Sequence, residues 1–158
     1  MAEPIGPYTT TDAIRGGIGV TDNEITDAML VDQQLELELE VDLATWLPTH
    51  ATLYAAGMGD AATDSEKLIA AHITLYAQWY CTSAAIDYMR LALPQMISDG
   101  KSEMRRFSEM DLDAISSKAA GRRNNHRAAL EELALSETPT SSVSIMQRAV
   151  PDYDPVVG

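Results

Sequence analysis

Between Val31 and Leu47 the chain reads VDQQLELELEVDLATWL, and Leu35, Leu37, Leu39, Val41 and Leu43 alternate strictly with acids. A period of two is the pattern of a half-buried strand. Residue preference points the other way. Leu and Glu are good helix formers and mediocre strand formers, and no hairpin turn or partner strand lies nearby. A helix is expected, with Val31, Leu35, Leu39, Leu43 and Trp46 on one apolar stripe and Leu30, Leu37, Val41 and Ala44 on an opposite one. Two opposed stripes imply a helix clamped between two surfaces. Pro48 stops it.

The longest patterned stretch runs from Thr63 to Leu93, holds no glycine or proline, and is closed by Pro94. Thr63 and Glu66 have capping-box spacing, each able to satisfy a free backbone donor of the other. One side carries Leu68, Ala71, Leu75, Trp79 and Ile86, and the next carries Ile69, Ile73, Tyr76, Tyr80 and Met89. A helix apolar over so much of its girth packs against its own chain and against another subunit. Glu66, Lys67, His72, Gln78, Asp87 and Arg90 interrupt it too often for a membrane span.

Around this hub the remaining elements are shorter. Residues 1–9 form a Pro/Gly-bearing arm without periodicity, and Thr10-Thr11-Asp12 offers a cap for a short helix over Ala13–Ile18, ended by its glycines. Thr21 and Glu24 repeat the capping box, and Thr26-Asp27 offers a further start. Thr49–Thr63 reads as a small-residue connection, and Asp99-Gly100 as a turn. A last helix is expected over Asp111–Leu135, with Gly121 a weak point. Residues 136–158 hold three prolines and no helical stripe, and Ser142–Val150 becomes a strand only with a partner. The fold class is all-α: a small helical bundle around one long central helix (residues 10–135), with an extended N-terminal arm (1–9) and an extended C-terminal tail (136–158).

Charge changes the picture by its distribution. The chain of 158 residues carries a formal net charge of −13, which argues against free DNA or an anionic membrane as main partner. Residues 1–66 hold thirteen acids and one base, Arg15, whereas residues 101–127 hold seven bases and four acids. Such polarity suits a protein that offers different surfaces to different neighbours. Lys101, Arg105, Arg106, Lys118, Arg122, Arg123 and Arg127 are the one concentrated basic feature. They either answer acids such as Glu36, Glu38, Glu40 and Asp42 on a neighbouring copy or line a surface that tolerates passing phosphates.

Candidate chemistry is sparse. Gly100-Lys101-Ser102 resembles the end of a P-loop, but Gln95 stands where the motif needs another glycine and no strand precedes it. His50, His72 and His126 lie far apart in sequence, without metal-ligand spacing. His72 reads as a hydrogen-bonded core or interface residue. The single Cys81 excludes an internal disulfide and reads as a small apolar group. No catalytic residue, cofactor or metal is expected. The opening MAEPIGPYTTTD lacks the basic region and apolar core of a secretory signal, so a cytoplasmic compartment, or a particle assembled there, is expected.

Three blocks, TTTDAIRGGIGVTDNEITDAML, LELELEVDLATWL and ISDGKSEMRRF, resemble the head-to-tail connector (adaptor) proteins of tailed bacteriophages. The resemblance covers roughly residues 9–135. It implies a small α-helical virion protein without enzymatic activity, assembled in the host cytoplasm as a ring, commonly twelve-fold, beneath the portal. Such a ring extends the DNA channel, lets genomic DNA pass without specific binding, and gives tail-side proteins a docking platform. On that reading Lys101, Arg105 and Arg106 are candidates for the lumen or the portal rim. Glu36, Glu38, Glu40 and Asp42 would pair with Lys118, Arg122, Arg123 and Arg127 of a neighbour. Val143, Ile145, Met146 and Val150 in the tail are candidates for docking to the portal by strand addition. Two other classes stay open: an acidic helical regulator that binds a protein partner in the manner of a DNA mimic, and a helical enzyme with a carboxylate site.

Overall fold

The computed structural model describes residues 2–31, 34–97 and 109–137. The chain runs β1 (Pro4–Ile5), β2 (Thr9–Thr10), α1 (Thr11–Ile18), α2 (Asp27–Val31), α3 (Leu35–Trp46), α4 (His50–Gly57), α5 (Asp64–Ile97) and α6 (Glu109–Glu137). It is an all-α bundle in which α1, α3, α4 and α6 all pack on α5.

The start of α5 is the capping box read from sequence. The Thr63 amide and hydroxyl both donate to the Glu66 carboxylate, at 2.7 and 2.8 Å, and the Glu66 amide donates back to the Thr63 hydroxyl at 3.2 Å. These bonds hold the Glu66 carboxyl below the usual range. Its end differs from expectation. Pro94 does not close α5, which continues to Ile97 and is therefore about 50 Å long. The cost is one backbone bond, since Pro94 has no N–H for the carbonyl of Arg90.

Ile69, Ile73, Tyr76, Ala77 and Ile86 of α5 are buried together with Leu35, Leu39 and Leu43 of α3 and Leu112, Ala119 and Leu130 of α6. Trp46 and Trp79 are partly buried and pack against this core. The period-two segment is helical, as its residue preferences require. It begins at Leu35 instead of Val31, because Gln34 adopts φ 56°, in the left-handed region, and separates α3 from α2.

The connection expected over Thr49–Thr63 contains a helix, α4. Its last residue, Gly57, lies so close to α5 that a Cβ there would meet the Glu66 carbonyl oxygen at 2.3 Å and the Ala70 Cβ at 2.5 Å. Gly17 plays the same part for α1, where a Cβ would stand 2.7 Å from the Thr82 hydroxyl. Gly19 ends α1 at φ 87°, the left-handed cap a glycine takes without strain. Gly121 does not break α6, which is continuous through it.

The arm is also corrected. Residues 4–10 fold back as an antiparallel two-residue pair, Pro4 opposite Thr10 and Ile5 opposite Thr9, and Ile5 and Tyr8 are buried in the core. The Thr21–Glu24 box forms, with the Thr21 amide and hydroxyl donating to Glu24 at 2.8 and 2.9 Å, but it closes only a turn. Thr26 then caps α2 through the Met29 amide at 3.3 Å.

Arg15, the lone base of the N-terminal segment, is buried. Its guanidinium donates to the Ile25 carbonyl at 3.1 Å, to Asp27 at 2.7 Å, to the Thr11 hydroxyl at 3.4 Å and to Asp12. Burial opposes the charge, but the hydrogen bonds to Asp12 and Asp27 outweigh it and hold the group charged beyond its ordinary range. The Asp27 carboxyl is lowered by hydrogen bonds from Thr11 and then Arg15. This cluster ties the loop between α1 and α2 to α1. Asp99-Gly100, Lys101, Arg105, Arg106 and the tail candidates Val143, Ile145, Met146 and Val150 lie outside the described residues.

Candidate functional site

At 3.6 residues per turn, a strict alternation places every second residue about 200° further round the helix. Four such steps along α3 therefore produce two opposite stripes. Leu35, Leu39 and Leu43 face the core, while Leu37, Val41 and Ala44 face outward. Leu37 and Val41 are each 60% exposed, and Val31 on α2, next to them, is 44% exposed. Val31, Gln34, Glu36, Leu37 and Glu40 line a shallow open groove. By the same rotation, Glu36 and Glu40 fall on one flank of the outer stripe and Glu38 and Asp42 on the other. The surface is an apolar ridge with carboxylates on both sides.

Each flank is braced from beneath. The Glu40 carboxylate stands 3.7 Å from Nε2 of His50, and Nδ1 of His50 is hydrogen-bonded to the Tyr8 hydroxyl at 2.7 Å. Tyr8 makes an edge contact with Tyr54, whose hydroxyl donates to the Pro7 carbonyl at 2.9 Å. The Tyr8–His50–Glu40 order resembles a proton relay, but burial first, then the charge of Glu40 and the neighbouring Tyr54, push the Tyr8 phenol up to about 12. With Tyr8 and His50 both buried, the set works as a clasp joining the N-terminal pair to α3 and α4.

On the opposite flank Asp42 turns inward. It accepts from the Tyr76 hydroxyl and from the Trp46 indole at 3.1 Å. Burial, followed by that bond, raises the Tyr76 phenol far above its usual range. Arg127 of α6 lies over the Trp46 ring, 4.9 Å from its centroid, and pairs with Glu131 at 2.9 Å. Of the acids and bases expected to meet a neighbour, Asp42 and Arg127 are thus engaged within the subunit. Glu36 and Glu38 remain exposed.

The four bases of α6 divide by helical position. Arg123 and Arg127 lie on the side toward α3, where Arg123 acts electrostatically on Tyr76 and Tyr80. Lys118 and Arg122, four residues apart, lie on the other side, and Arg122 sits over the Trp79 ring, 5.9 Å from its centroid. That side borders a second outward apolar stripe, on α5, where Leu68 is 47% and Leu75 is 37% exposed and Ala71 lies between them. The structure also joins two histidines that sequence spacing kept apart. Nδ1 of His72 and Nδ1 of His126 are 3.1 Å apart, across α5 and α6. One ring donates to the other, so the pair is satisfied only while at least one imidazole is neutral. Burial, then His72 and Arg122, depress the His126 pKa.

Among the described residues no group of three or more His, Cys, Asp or Glu could hold a metal ion, and no helix is long and apolar enough to cross a membrane. Cys81 is buried, and burial followed by Glu38 pushes its thiol up to about 12, which leaves little thiolate for chemistry. What the arrangement offers is contact surface: one apolar stripe on α3 edged by carboxylates, and another on α5 with Lys67, Lys118 and Arg122 among its neighbours. Comparison with protein-family models, curated proteins and solved structures gives no match.

Proposed function

We propose that the chain is a structural virion subunit of the head-to-tail connector type, which assembles as a closed ring between portal and tail and extends the DNA channel. The observation that carries this reading is the outer face of α3. A helix whose inner stripe is fully buried, yet whose outer stripe exposes Leu37 and Val41 at 60% each, has surface reserved for something besides its own subunit. The Tyr8–His50–Glu40 clasp and the bonds of Asp42 to Trp46 and Tyr76 hold the stripe in place. The resemblance of the TTTDAIRGGIGVTDNEITDAML and LELELEVDLATWL blocks to connector proteins gives that surface a setting.

In such a ring the protein's work is geometric. The acid-rich N-terminal half disfavours adhesion of phosphates, because each phosphate neutralised by a protein cation adds salt-sensitive affinity. DNA then passes without being held. The test is location: a density-labelled chain in purified particles is expected at the joint between head and tail. Label along the tail shaft or inside the capsid, or none in the particle, would sink the proposal.

A further inference from the structure

The two apolar stripes differ in their charged borders, and that difference carries an inference about what covers them. On α3 the outer stripe of Leu37, Val41 and Ala44, with Val31 of α2 next to it, is flanked by Glu36 and Glu40 on one side and Glu38 on the other. On α5 the stripe of Leu68, Ala71 and Leu75 has Lys67 beside it at its start and, from α6, Arg122 over Trp79, with Lys118 one turn away. His72 and His126 lie along the same border. Asp64 and Glu66 lie in the first turn of α5 beside Lys67, and Glu132 is exposed on the same side of α6 as Lys118 and Arg122.

We infer that these two stripes are the two halves of one contact, and that the occupant of the α3 face is the α5–α6 face of a second copy of this chain. Three observations favour a second copy over an unrelated partner. Both faces are apolar stripes on single helices, the geometry that lets ridges of one seat in grooves of the other. The α3 border is acidic throughout, whereas the α5–α6 border brings Lys67, Lys118 and Arg122, so α3 on α3 sets like charges against each other and α3 on α5–α6 supplies cations to its carboxylates. The stripes also lie on different sides of the bundle, so the contact is head to tail: each copy uses one face to hold the next and leaves its other face open. Such a contact closes into a ring or continues as a filament. Asp42 and Arg127 take no part, because their partners are within the subunit. This pairing rests on the assembly reading above and adds its surfaces.

The experiment uses two full-length variants, each disabled on one face: Leu37→Asp with Val41→Asp, and Leu68→Asp with Leu75→Asp. All four residues are exposed in the subunit. Circular dichroism and urea titration report separately whether each variant is folded. Across a concentration series in the analytical ultracentrifuge, the unaltered chain is expected to grow beyond a dimer, and each variant alone to stay monomeric. Mixed, the two variants are expected to give a one-to-one dimer that grows no further, since one live face of each kind remains. A second set keeps the apolar residues. Glu36→Lys with Glu38→Lys is expected to weaken self-association about tenfold or more, as is Lys67→Glu with Lys118→Glu, and all four changes in one chain restore it. An α5-disabled variant that still dimerises, mixed variants that stay monomeric, or an unaltered chain that stays monomeric throughout overturns the pairing. Those outcomes leave the connector reading standing or falling on the particle label, which does not depend on which faces meet.

Discussion

Replacing glycine by alanine is expected to act in opposite directions at two helical positions of this chain. At Gly121, in the middle of α6, a Cβ meets nothing within 4 Å. Gly121→Ala therefore gains the helix preference of alanine, about 1 kcal/mol. At Gly57 the same methyl would lie 2.3 Å from the Glu66 carbonyl oxygen, 2.9 Å from its carbon and 2.5 Å from the Ala70 Cβ. Ordinary contact requires more than 3.4 Å, so α4 and α5 must part by about an ångström. Two of the three atoms are backbone of the central helix and cannot rotate away. Overpacking of this kind costs about 1–3 kcal/mol, more than the gain in helix preference. Gly57→Ala is thus expected to lose up to about 2 kcal/mol in urea titration, read as a lower midpoint at unchanged slope. Equal stabilisation by both substitutions would refute the close approach of α4 to α5.

The face assignment of α3 predicts that Leu43→Ala, fully buried, costs about 2–5 kcal/mol. Leu37→Ala is expected to leave subunit stability within about 0.5 kcal/mol, and similar losses for the two in urea titration would reverse the assignment. The depressed His126 pKa predicts a pH effect. The unfolded chain takes up its proton first, near 6.5, so stability is fully present above that pH and falls as pH drops through the unfolded and toward the folded value. His126→Gln is expected to flatten this slope between pH 7 and 5 (about the imidazole range), and an unchanged slope in thermal melts would remove the histidine pair as its source. Cys81 is expected to resist a thiol reagent in the folded chain and to react on unfolding, because the thiol is buried and raised to about 12. Rapid labelling of folded protein would contradict its burial.

Much of the bundle was legible because its signals are local. The Thr63–Glu66 box, the apolar girth of α5 and the helix preference of Leu and Glu each depend on residues within a few turns. The two-sided reading of α3 follows from the same rule, since alternation on a helix always yields opposite stripes. What was hidden depends on contacts distant in sequence. Tyr8 meets His50 across forty-two residues, so the 1–9 arm reads as unstructured until the clasp is seen. His72 meets His126 across fifty-four, and no spacing rule reaches that far. Arg15 gave no sign of burial, because its acceptors include a backbone carbonyl and a hydroxyl. Helix α4 reads as a connection because its small residues carry no long stripe, and the smallness of Gly57 is what lets it approach α5. Pro94 points in the other direction: a proline marks a boundary by the bond it removes, and the thirty-three other residues of α5 outweigh that loss.

The central claim, that this chain is a ring subunit seated on a portal, is tested most directly by mixing it with purified portal rings encoded by the same genome. Native mass spectrometry of the complex then counts the copies bound. The account predicts that portal rings collect a complete set of subunits cooperatively, giving bare and fully occupied rings with few intermediates. No binding, or one copy bound irrespective of concentration, would contradict it.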